Sequence, residues 1–183
     1  MRLTHSLPAL VAIALGCTAN APPPVTTTPT ALTCNAPSPE AVEGARAITD
    51  EELHGRSVGA AAEGKLCAST VYEATRPITV WRIWQRDREH TMRGRWWSLA
   101  RPQGTRDEFR ASAVVCAEWS ALNALVRCEI RTGEHFALGP GQSARCEGNS
   151  VLPASPALQV YIENDGRANR YLVDNCEDLG AWP

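Results

Sequence analysis

The sequence predicts an α+β domain in which short helices come first and a mainly antiparallel, disulfide-linked sheet follows. Residues 39–64 are rich in alanine and glutamate, which favour helices. After Cys67, short β-branched and aromatic segments alternate with turns that contain glycine, proline or asparagine, as is typical of strands. Six cysteines lie beyond residue 33 and can cross-link such a sheet. Helices that lead and strands that dominate later indicate the α+β class.

The N-terminal residues predict export. A positive charge near the start is followed by an apolar segment that is too short to span a bilayer. The apolar segment ends in a run that resembles the lipobox of bacterial lipoproteins, although its alanine occupies a position where leucine is usual: Ala14-Leu15-Gly16-Cys17. The resemblance implies that residues 1–16 are a signal peptide and that Cys17 becomes lipidated. The alternative is an ordinary secretory signal in which Cys17 has no role.

Residues 17–33 are predicted to be a tether between a lipid anchor and a folded domain. No residue from Thr18 to Thr33 is charged, and proline and threonine dominate, so the segment favours extended conformations without a core-forming face. Thr18 is compatible with sorting to the outer membrane. The predicted location is therefore the cell envelope, as an outer-membrane lipoprotein, or otherwise the periplasm or the medium. A single globular domain is expected over residues 34–183.

The six cysteines outside the leader predict three disulfides, because exported proteins reach an oxidising compartment. Fifteen pairings are possible, and sequence separation favours pairing between neighbours. Neighbour pairing would give Cys34–Cys67, Cys116–Cys128 and Cys146–Cys176. No CxxC or HxxxH spacing is present in the sequence, so no metal site is expected.

The helices and first strands are predicted from local patterns. Residues 39–48 and 50–64 are expected to form two helices, the second started by the capping-box spacing of Thr49-Asp50-Glu51-Glu52. Residues 68–75 and 78–85 are β-branched and aromatic, which predicts two strands.

The second half of the chain continues with one helix and further strands. A second capping-box spacing begins at Thr105 and predicts a helix over residues 106–114. Trp119 and the two leucines after it at three-residue intervals indicate another short helical turn. Later turn residues then divide the chain into predicted strands: a hairpin of 126–131 and 134–138, a turn at Gly139-Pro140-Gly141, a strand over 142–146, and strands over 158–163 and 170–173.

Tryptophan and arginine are concentrated between Trp81 and Arg110. This stretch contains four of the six tryptophans, eight arginines and four acidic residues, so it is positively charged in a chain whose net charge is −2. Arginine binds phosphate in a bidentate manner and tryptophan offers a flat surface for a ring. The candidate substrate-binding residues here are Arg82, Trp96, Trp97 and Arg110. The simpler interpretation is that the tryptophans are core residues and the arginines are solvated.

Two shorter segments are further candidates. Gln142 and Ser143 follow the glycine-proline turn, where backbone can approach a ligand closely. Glu118 lies beside Trp119 and next to a cysteine. A plain turn and a surface carboxylate are the simpler alternatives. The sequence contains no GxSxG, P-loop, HExxH or strand-linked GxGxxG motif, and the overall negative charge does not favour a nucleic-acid partner.

Five short motifs resemble the halovibrin group of secreted bacterial proteins, which are similar to ADP-ribosyltransferases and act on NAD as glycohydrolases. They are Val80-Trp81-Arg82-Ile83-Trp84, Gly94-Arg95-Trp96-Trp97-Ser98-Leu99, Phe109-Arg110, Cys116-Ala117-Glu118-Trp119-Ser120 and Gly141-Gln142-Ser143-Ala144-Arg145-Cys146. The likeness covers residues 70–176. Two features depart from the wider transferase pattern: Ser69-Thr70 precedes Arg82, and no carboxylate lies two residues after Gln142. These departures argue against transfer to a protein target more than against NAD hydrolysis.

The resemblance implies an NAD glycohydrolase that cleaves the nicotinamide–ribose bond, with NAD as substrate and no cofactor. Because nicotinamide leaves as a neutral molecule from a cationic ring, the chemistry needs positioning and charge stabilisation more than a general acid. Arg82 and Arg110 would then hold the diphosphate, and Trp96 or Trp97 would pack the nicotinamide. The expected catalytic residues are Gln142 and Glu118, with Ser143 in contact with substrate.

The alternative function is a non-enzymatic surface lipoprotein that binds a partner protein or a glycan. It accounts for the tether, the disulfides and the aromatic residues without any catalytic demand. The two functions predict different geometry. An enzyme requires Arg82, Trp96, Arg110 and Gln142 to line one cleft, whereas a binding module allows the arginines to be scattered over the surface.

Overall fold

A computed structural model describes Cys34 and residues 41–183. The predicted signal peptide, Cys17 and the tether lie outside the described residues. The strands are β1 (Ala45–Ile48), β2 (Thr70–Ala74), β3 (Ile78–Trp84), β4 (Trp96–Trp97), β5 (Ala124–Ile130), β6 (His135–Gly141), β7 (Ala144–Arg145), β8 (Val151–Leu152), β9 (Ser155–Tyr161) and β10 (Val173–Ala181). The helices are α1 (Glu51–Ser57) and α2 (Arg106–Ala113), with 3₁₀ turns at Glu89–Thr91, Ala117–Trp119 and Glu147–Asn149.

The strands form two larger antiparallel sheets. One has the order β1-β2-β6-β9-β4 and the other β10-β5-β3, while β7 and β8 form a separate pair. The edges of the two larger sheets meet at Trp81 and Ser98, whose backbone N–H groups donate to each other's carbonyls at 2.9 Å. The predicted α+β class with a mainly antiparallel, disulfide-linked sheet is confirmed in this coarse form.

The main core lies between these two sheets. Tyr72 and Phe136 from the first sheet stack with ring centroids 5.5 Å apart and face buried residues of the second sheet, such as Val80 and Val126. Successive residues of a strand point to opposite faces, so each sheet supplies every second side chain to this core. The remaining face of the first sheet is then free to pack against α1 and α2.

The start of the domain differs from the prediction. Residues 45–48 were expected in a helix, but they form β1 and pair with β2 in the register Ala45↔Ala74 to Ile48↔Val71. Their alanines favour a helix, but pairing with β2 decides the conformation. Helix α1 is also shorter than predicted, and its N-cap is Asp50, which accepts a hydrogen bond from the Leu53 N–H at 3.0 Å. Helices therefore do not lead the described chain.

Helix α2 confirms the second capping-box prediction. The Thr105 side chain accepts from the Glu108 N–H, and the Glu108 carboxylate accepts from the Thr105 N–H at 2.7 Å. The Thr105 N–H and the Thr105 hydroxyl both donate to the Glu108 carboxylate, and these bonds lower the pKa of Glu108 below its usual value. Reciprocal capping fixes the start of α2, while Val114 ends the helix in the left-handed region with φ of 52°.

The predicted hairpin of 126–131 and 134–138 is wrong, although both segments are strands. β5 pairs with β3 and β10, whereas β6 pairs with β2 and β9. The turn between them carries the chain from one sheet to the other, and it is fixed by the Gly133 N–H, which donates to the Ala74 carbonyl at 2.8 Å. A turn signal gives the position of a reversal but not the partner strand.

The predicted turn at Gly139-Pro140-Gly141 is also wrong, since these residues complete β6. Gly139 permits close packing, because a Cβ there would lie 1.9 Å from the Ala68 carbonyl oxygen. The Pro140 carbonyl accepts from the Cys67 N–H at 2.9 Å. The small residues of β6 therefore make room for the chain segment around Ala68 that crosses it.

Three disulfides are present, but two of the predicted pairings are wrong. Cys34–Cys67 is confirmed. Cys116 pairs with Cys146, and Cys128 pairs with Cys176, with Cα–Cα distances of 5.4 and 4.1 Å. Cys128 on β5 faces the neighbouring strand β10, which sequence separation cannot reveal. No helix in the described part of the chain is long and apolar enough to cross a membrane.

Candidate functional site

Four tryptophans line one cavity of about 420 Å³. They come from three elements: Trp81 from β3, Trp96 and Trp97 from β4, and Trp119 from a 3₁₀ turn. Trp97 is buried, Trp81 and Trp96 are partly exposed, and Trp119 is 45 % exposed. A cavity of this size falls in the range of small-molecule sites, which is roughly 300–1,000 Å³. We refer to this cavity as the aromatic half of the cleft.

Strand β9 supplies the floor of the cleft. Gln159 lines the aromatic half, while Tyr161 and Glu163 line an adjoining cavity of about 510 Å³. Alternation along the strand places Gln159 and Tyr161 on one face. Trp96 is opposite Tyr161 in the register, and their ring centroids are 4.9 Å apart. Burial raises the pKa of the Tyr161 hydroxyl, so it remains protonated at neutral pH.

The adjoining cavity, the charged half, shares Gly64, Trp96 and Trp119 with the aromatic half. A Cβ at Gly64 would lie 2.7 Å from the Trp119 ring, so glycine lets that ring pack against the backbone at the junction. The ionisable groups that line the charged half, apart from Tyr161, are Arg56, Glu63, Lys65, Arg95, Glu163, Asp165 and Arg170.

The carboxylates of the charged half are all engaged within the protein. Glu163 forms an ion pair with Arg56 at 2.9 Å, and Glu63 accepts from the Ala60 N–H at 3.0 Å. Asp165 accepts from two backbone N–H groups, those of Ala168 and Arg167, and these bonds lower its pKa.

The cations of the charged half are less fully engaged. In the described part of the chain, the side chains of Lys65 and Arg170 have no hydrogen-bond or ion-pair partner. Arg95 is the intermediate case, since its Nε donates to the Asn164 carbonyl at 3.2 Å. Because the carboxylates have partners and two cations have none, the charged half favours an anionic group.

Arg82, one of the predicted substrate-binding residues, lines the aromatic half. Its Nε donates to the Thr91 carbonyl at 2.9 Å and its Nη1 to the Trp96 carbonyl at 2.6 Å. Burial lowers its pKa to about 10, so it remains charged at neutral pH. No carboxylate in the described chain pairs with it. A buried cation without a counter-ion is costly, and an anion in the cleft would offset that cost.

Arg110 does not reach the cleft. Its Nη1 donates to the Cys116 carbonyl at 3.0 Å and its Nη2 to the Ser120 carbonyl at 2.6 Å. Burial, followed by the charge of Arg106, lowers its pKa. In this arrangement Arg110 fixes the turn that carries Trp119. The second arginine that lines the aromatic half is Arg101, whose guanidinium lies 5.5 Å from the centre of the Trp81 ring.

Gln142, Ser143 and Glu118 also lie outside both lining sets. The Gln142 side chain donates to the Gly59 carbonyl at 3.3 Å and accepts from the Ser143 N–H. The Ser143 hydroxyl accepts from the Ala62 N–H at 2.9 Å, and Glu118 accepts from the Glu147 N–H at 2.7 Å. These contacts join neighbouring chain segments. The structure therefore brings together Arg82, Trp96 and Trp97 among the predicted site residues.

Glu118 lies in a cluster of three residues whose side chains are of kinds that can bind a metal ion. It lies with Cys116 and Cys146 so that their ligand atoms are all within 4.8 Å of one another. The two cysteines form a disulfide, so neither provides a thiolate. The cluster as it exists is not a metal site.

The cleft is also lined by four residues that were not predicted from the sequence: Gln159, Lys65, Tyr161 and Glu163. A signal was available for three of them, because residues 159, 161 and 163 alternate along a predicted strand and carry polar groups on one face. Lys65 gave no signal, since its place in the cleft depends on the backbone around Gly64, which hydrogen-bonds to the Ser143 carbonyl at 2.9 Å.

Comparisons with protein-family models, with curated proteins and with solved structures find no match to this chain. The likeness to the halovibrin group therefore stays a prediction.

Proposed function

We propose that this chain is an exported protein that binds a small molecule carrying a flat ring and an anionic group. The observation that supports it best is the convergence on one cavity of four tryptophans and of Arg82, which has no carboxylate partner in the described part of the chain. Indole faces stack on planar rings, and a guanidinium in partly desolvated surroundings attracts a carboxylate or phosphate.

Trp119 allows a direct test, because it is the most exposed of the four tryptophans and contributes least to the core. The probe is indole-3-carboxylate, which carries a flat ring and one negative charge, and binding is measured by calorimetry on the purified protein. We expect Trp119→Ala to weaken binding by about tenfold. Val151→Ala is the matched control, because Val151 is also exposed but lies outside both lining sets. Failure of the wild-type protein to bind the probe would contradict the proposal.

The second candidate is the NAD glycohydrolase activity that the sequence resemblance implies. It is favoured by the way the two halves adjoin at Trp96: a pyridine ring could occupy the aromatic half while a diphosphate meets Lys65 and Arg170. In that arrangement the Glu163 carboxylate, which also lines the charged half, would stabilise the positive charge that develops on the ribose.

Nicotinamide release from NAD by the purified protein tests this activity. We expect Arg82→Ala and Glu163→Gln each to lower the rate of nicotinamide release. Gln142→Ala distinguishes the cleft from the site that was predicted from the sequence. If the cleft carries the reaction, Gln142→Ala leaves the rate unchanged, whereas a rate lost in Gln142→Ala and kept in Glu163→Gln would favour the site predicted from sequence. Absence of nicotinamide release from the wild-type protein would contradict the glycohydrolase activity and leave only the binding function.

We further propose that the protein is a lipoprotein of the cell envelope. Three disulfides support an oxidising compartment, and the lipobox-like run supports a lipid on Cys17. Mass spectrometry of the protein isolated from membranes is expected to show a diacylglyceryl group on Cys17, which Cys17→Ala abolishes. A mature protein that begins at another residue without lipid would contradict this proposal.

A further inference from the structure

Gln159 presents an amide without a protein partner at the aromatic half of the cleft. The residue lines the cavity and is 9 % exposed. Its side chain makes no hydrogen bond within the described part of the chain, and its amide is not shut off from solvent in the cavity. Two serine hydroxyls of the lining differ in this respect: Ser98 donates to the Ala100 carbonyl at 2.9 Å, and Ser112 donates to the Phe109 carbonyl at 3.1 Å. Because a largely buried polar group normally has a partner within the protein, an amide left open to a cavity is available to a ligand.

The fold holds this amide in place. Gln159 pairs with Gly139 in the ladder between β6 and β9, which fixes its backbone. Its Nε2 lies against Gly141, where a Cβ would approach it to 2.3 Å. Glycine at this position therefore provides the space that the amide occupies. The same arrangement with alanine would displace the amide.

We propose that Gln159 determines ligand specificity by pairing with an amide edge, a carboxamide or a lactam, on the ring-bearing ligand. A primary amide both donates and accepts, so it matches a group that presents an acceptor beside a donor. This inference rests on the proposed binding function and deepens it by naming a group that the ligand carries. An apolar ligand would leave the amide unpaired, which is the unfavourable case.

The test compares benzamide with acetophenone, which have the same shape but differ in one hydrogen-bond donor. A plain apolar cavity would prefer acetophenone, because benzamide loses more hydration on binding. We expect the wild-type protein to prefer benzamide by at least about tenfold, since a site built to hydrogen-bond rejects the analogue that lacks the donor. Affinities are measured by ligand-observed NMR titration of the purified protein.

Two variants complete the test. Gln159→Leu should reverse the preference, because it keeps the approximate volume and removes both hydrogen-bonding groups. Gln85→Leu is the matched control: Gln85 is half-buried but lies outside both lining sets, and its replacement should leave the preference unchanged. Circular dichroism melting establishes that both variants remain folded.

The outcomes separate this inference from the proposed function. Benzamide and acetophenone binding equally well, or a benzamide preference that survives in Gln159→Leu, would overturn the role of Gln159 and leave the binding function in place. If neither probe, nor indole-3-carboxylate, binds up to its solubility limit, the binding function fails and the inference fails with it.

Discussion

The two halves of the cleft are held in place by different means. The aromatic half is built largely on paired strands, with Trp81 on β3 and Trp97 on β4, and the buried Trp97 side chain is part of the main core. The charged half depends more on loop residues such as Lys65, Asp165 and Arg170. The comparison indicates that ring recognition is preorganised, whereas the charged groups can adjust to a ligand. Mutations of the tryptophans on strands should therefore affect stability as well as binding, whereas mutations in the charged half should mainly affect affinity.

The largest effect is expected from Trp97→Ala. Trp97 is 3 % exposed, and its Nε1 donates to the Gly94 carbonyl at 2.8 Å. Removing a buried indole should lower the free energy of unfolding by about 3–5 kcal/mol. Trp97→Phe should cost less, because it keeps a ring in the core. Urea denaturation measures both, and a loss below about 1 kcal/mol for Trp97→Ala would show that the aromatic half is not part of the core.

The disulfides give the next effect and separate stability from binding. Replacing either Cys116 and Cys146 or Cys128 and Cys176 by alanine should lower the free energy of unfolding by about 2–4 kcal/mol. Cys116 directly precedes the 3₁₀ turn that holds Trp119 at the junction of the two halves. The first pair of substitutions should therefore also weaken binding of indole-3-carboxylate.

The second pair is the matched control for that effect. Cys128 and Cys176 link β5 to β10, and neither residue lines the cleft. Their replacement should reduce stability but leave the affinity of the remaining folded protein unchanged. Equal loss of affinity in both double variants would show that the Cys116–Cys146 bridge has no particular role at the junction.

How much of the fold could be predicted from the sequence depends on whether a local signal or tertiary pairing decides each element. Local signals gave β2, β3 and α2 correctly, because alternation and the Thr105–Glu108 capping box are properties of neighbouring residues. Tertiary pairing determined the rest. The alanines of β1 were predicted to be helical, and β5 and β6 were assigned to one hairpin, because the partner strand is not written in the local pattern.

The candidate site shows the same difference between what local signals and what tertiary structure decide. Arg82, Trp96 and Trp97 were predicted because they are concentrated in one stretch of chain, and they do line one cavity. Arg110 and Gln142 belonged to equally suggestive segments, but they lie outside both lining sets. Residue type alone does not distinguish an arginine that lines a cavity from one that fixes a turn.

A smaller effect is expected in the charged half. Lys65→Ala and Arg170→Ala should each weaken binding of indole-3-carboxylate by roughly two- to fivefold at low salt, because neither cation forms a hydrogen bond or an ion pair in the described part of the chain. The loss should shrink as ionic strength rises. Arg167→Ala is the control, since Arg167 is in the same loop as Arg170 but does not line the cleft. An effect that is independent of salt would contradict this electrostatic explanation.

The smallest effect concerns the pH dependence of the loop that carries Arg170. Hydrogen bonds from the Ala168 and Arg167 N–H groups lower the pKa of Asp165 from its usual 3.8 in the folded protein. The stabilising contribution of its carboxylate is therefore complete above pH 3.8 and is lost as the pH falls through the lower, folded-state pKa. NMR titration of the Asp165 side-chain carbon should give a pKa below 3.8, and Asp165→Asn should remove this pH dependence from the loop. A measured pKa at or above 3.8 would mean that the loop does not hold Asp165 in this turn.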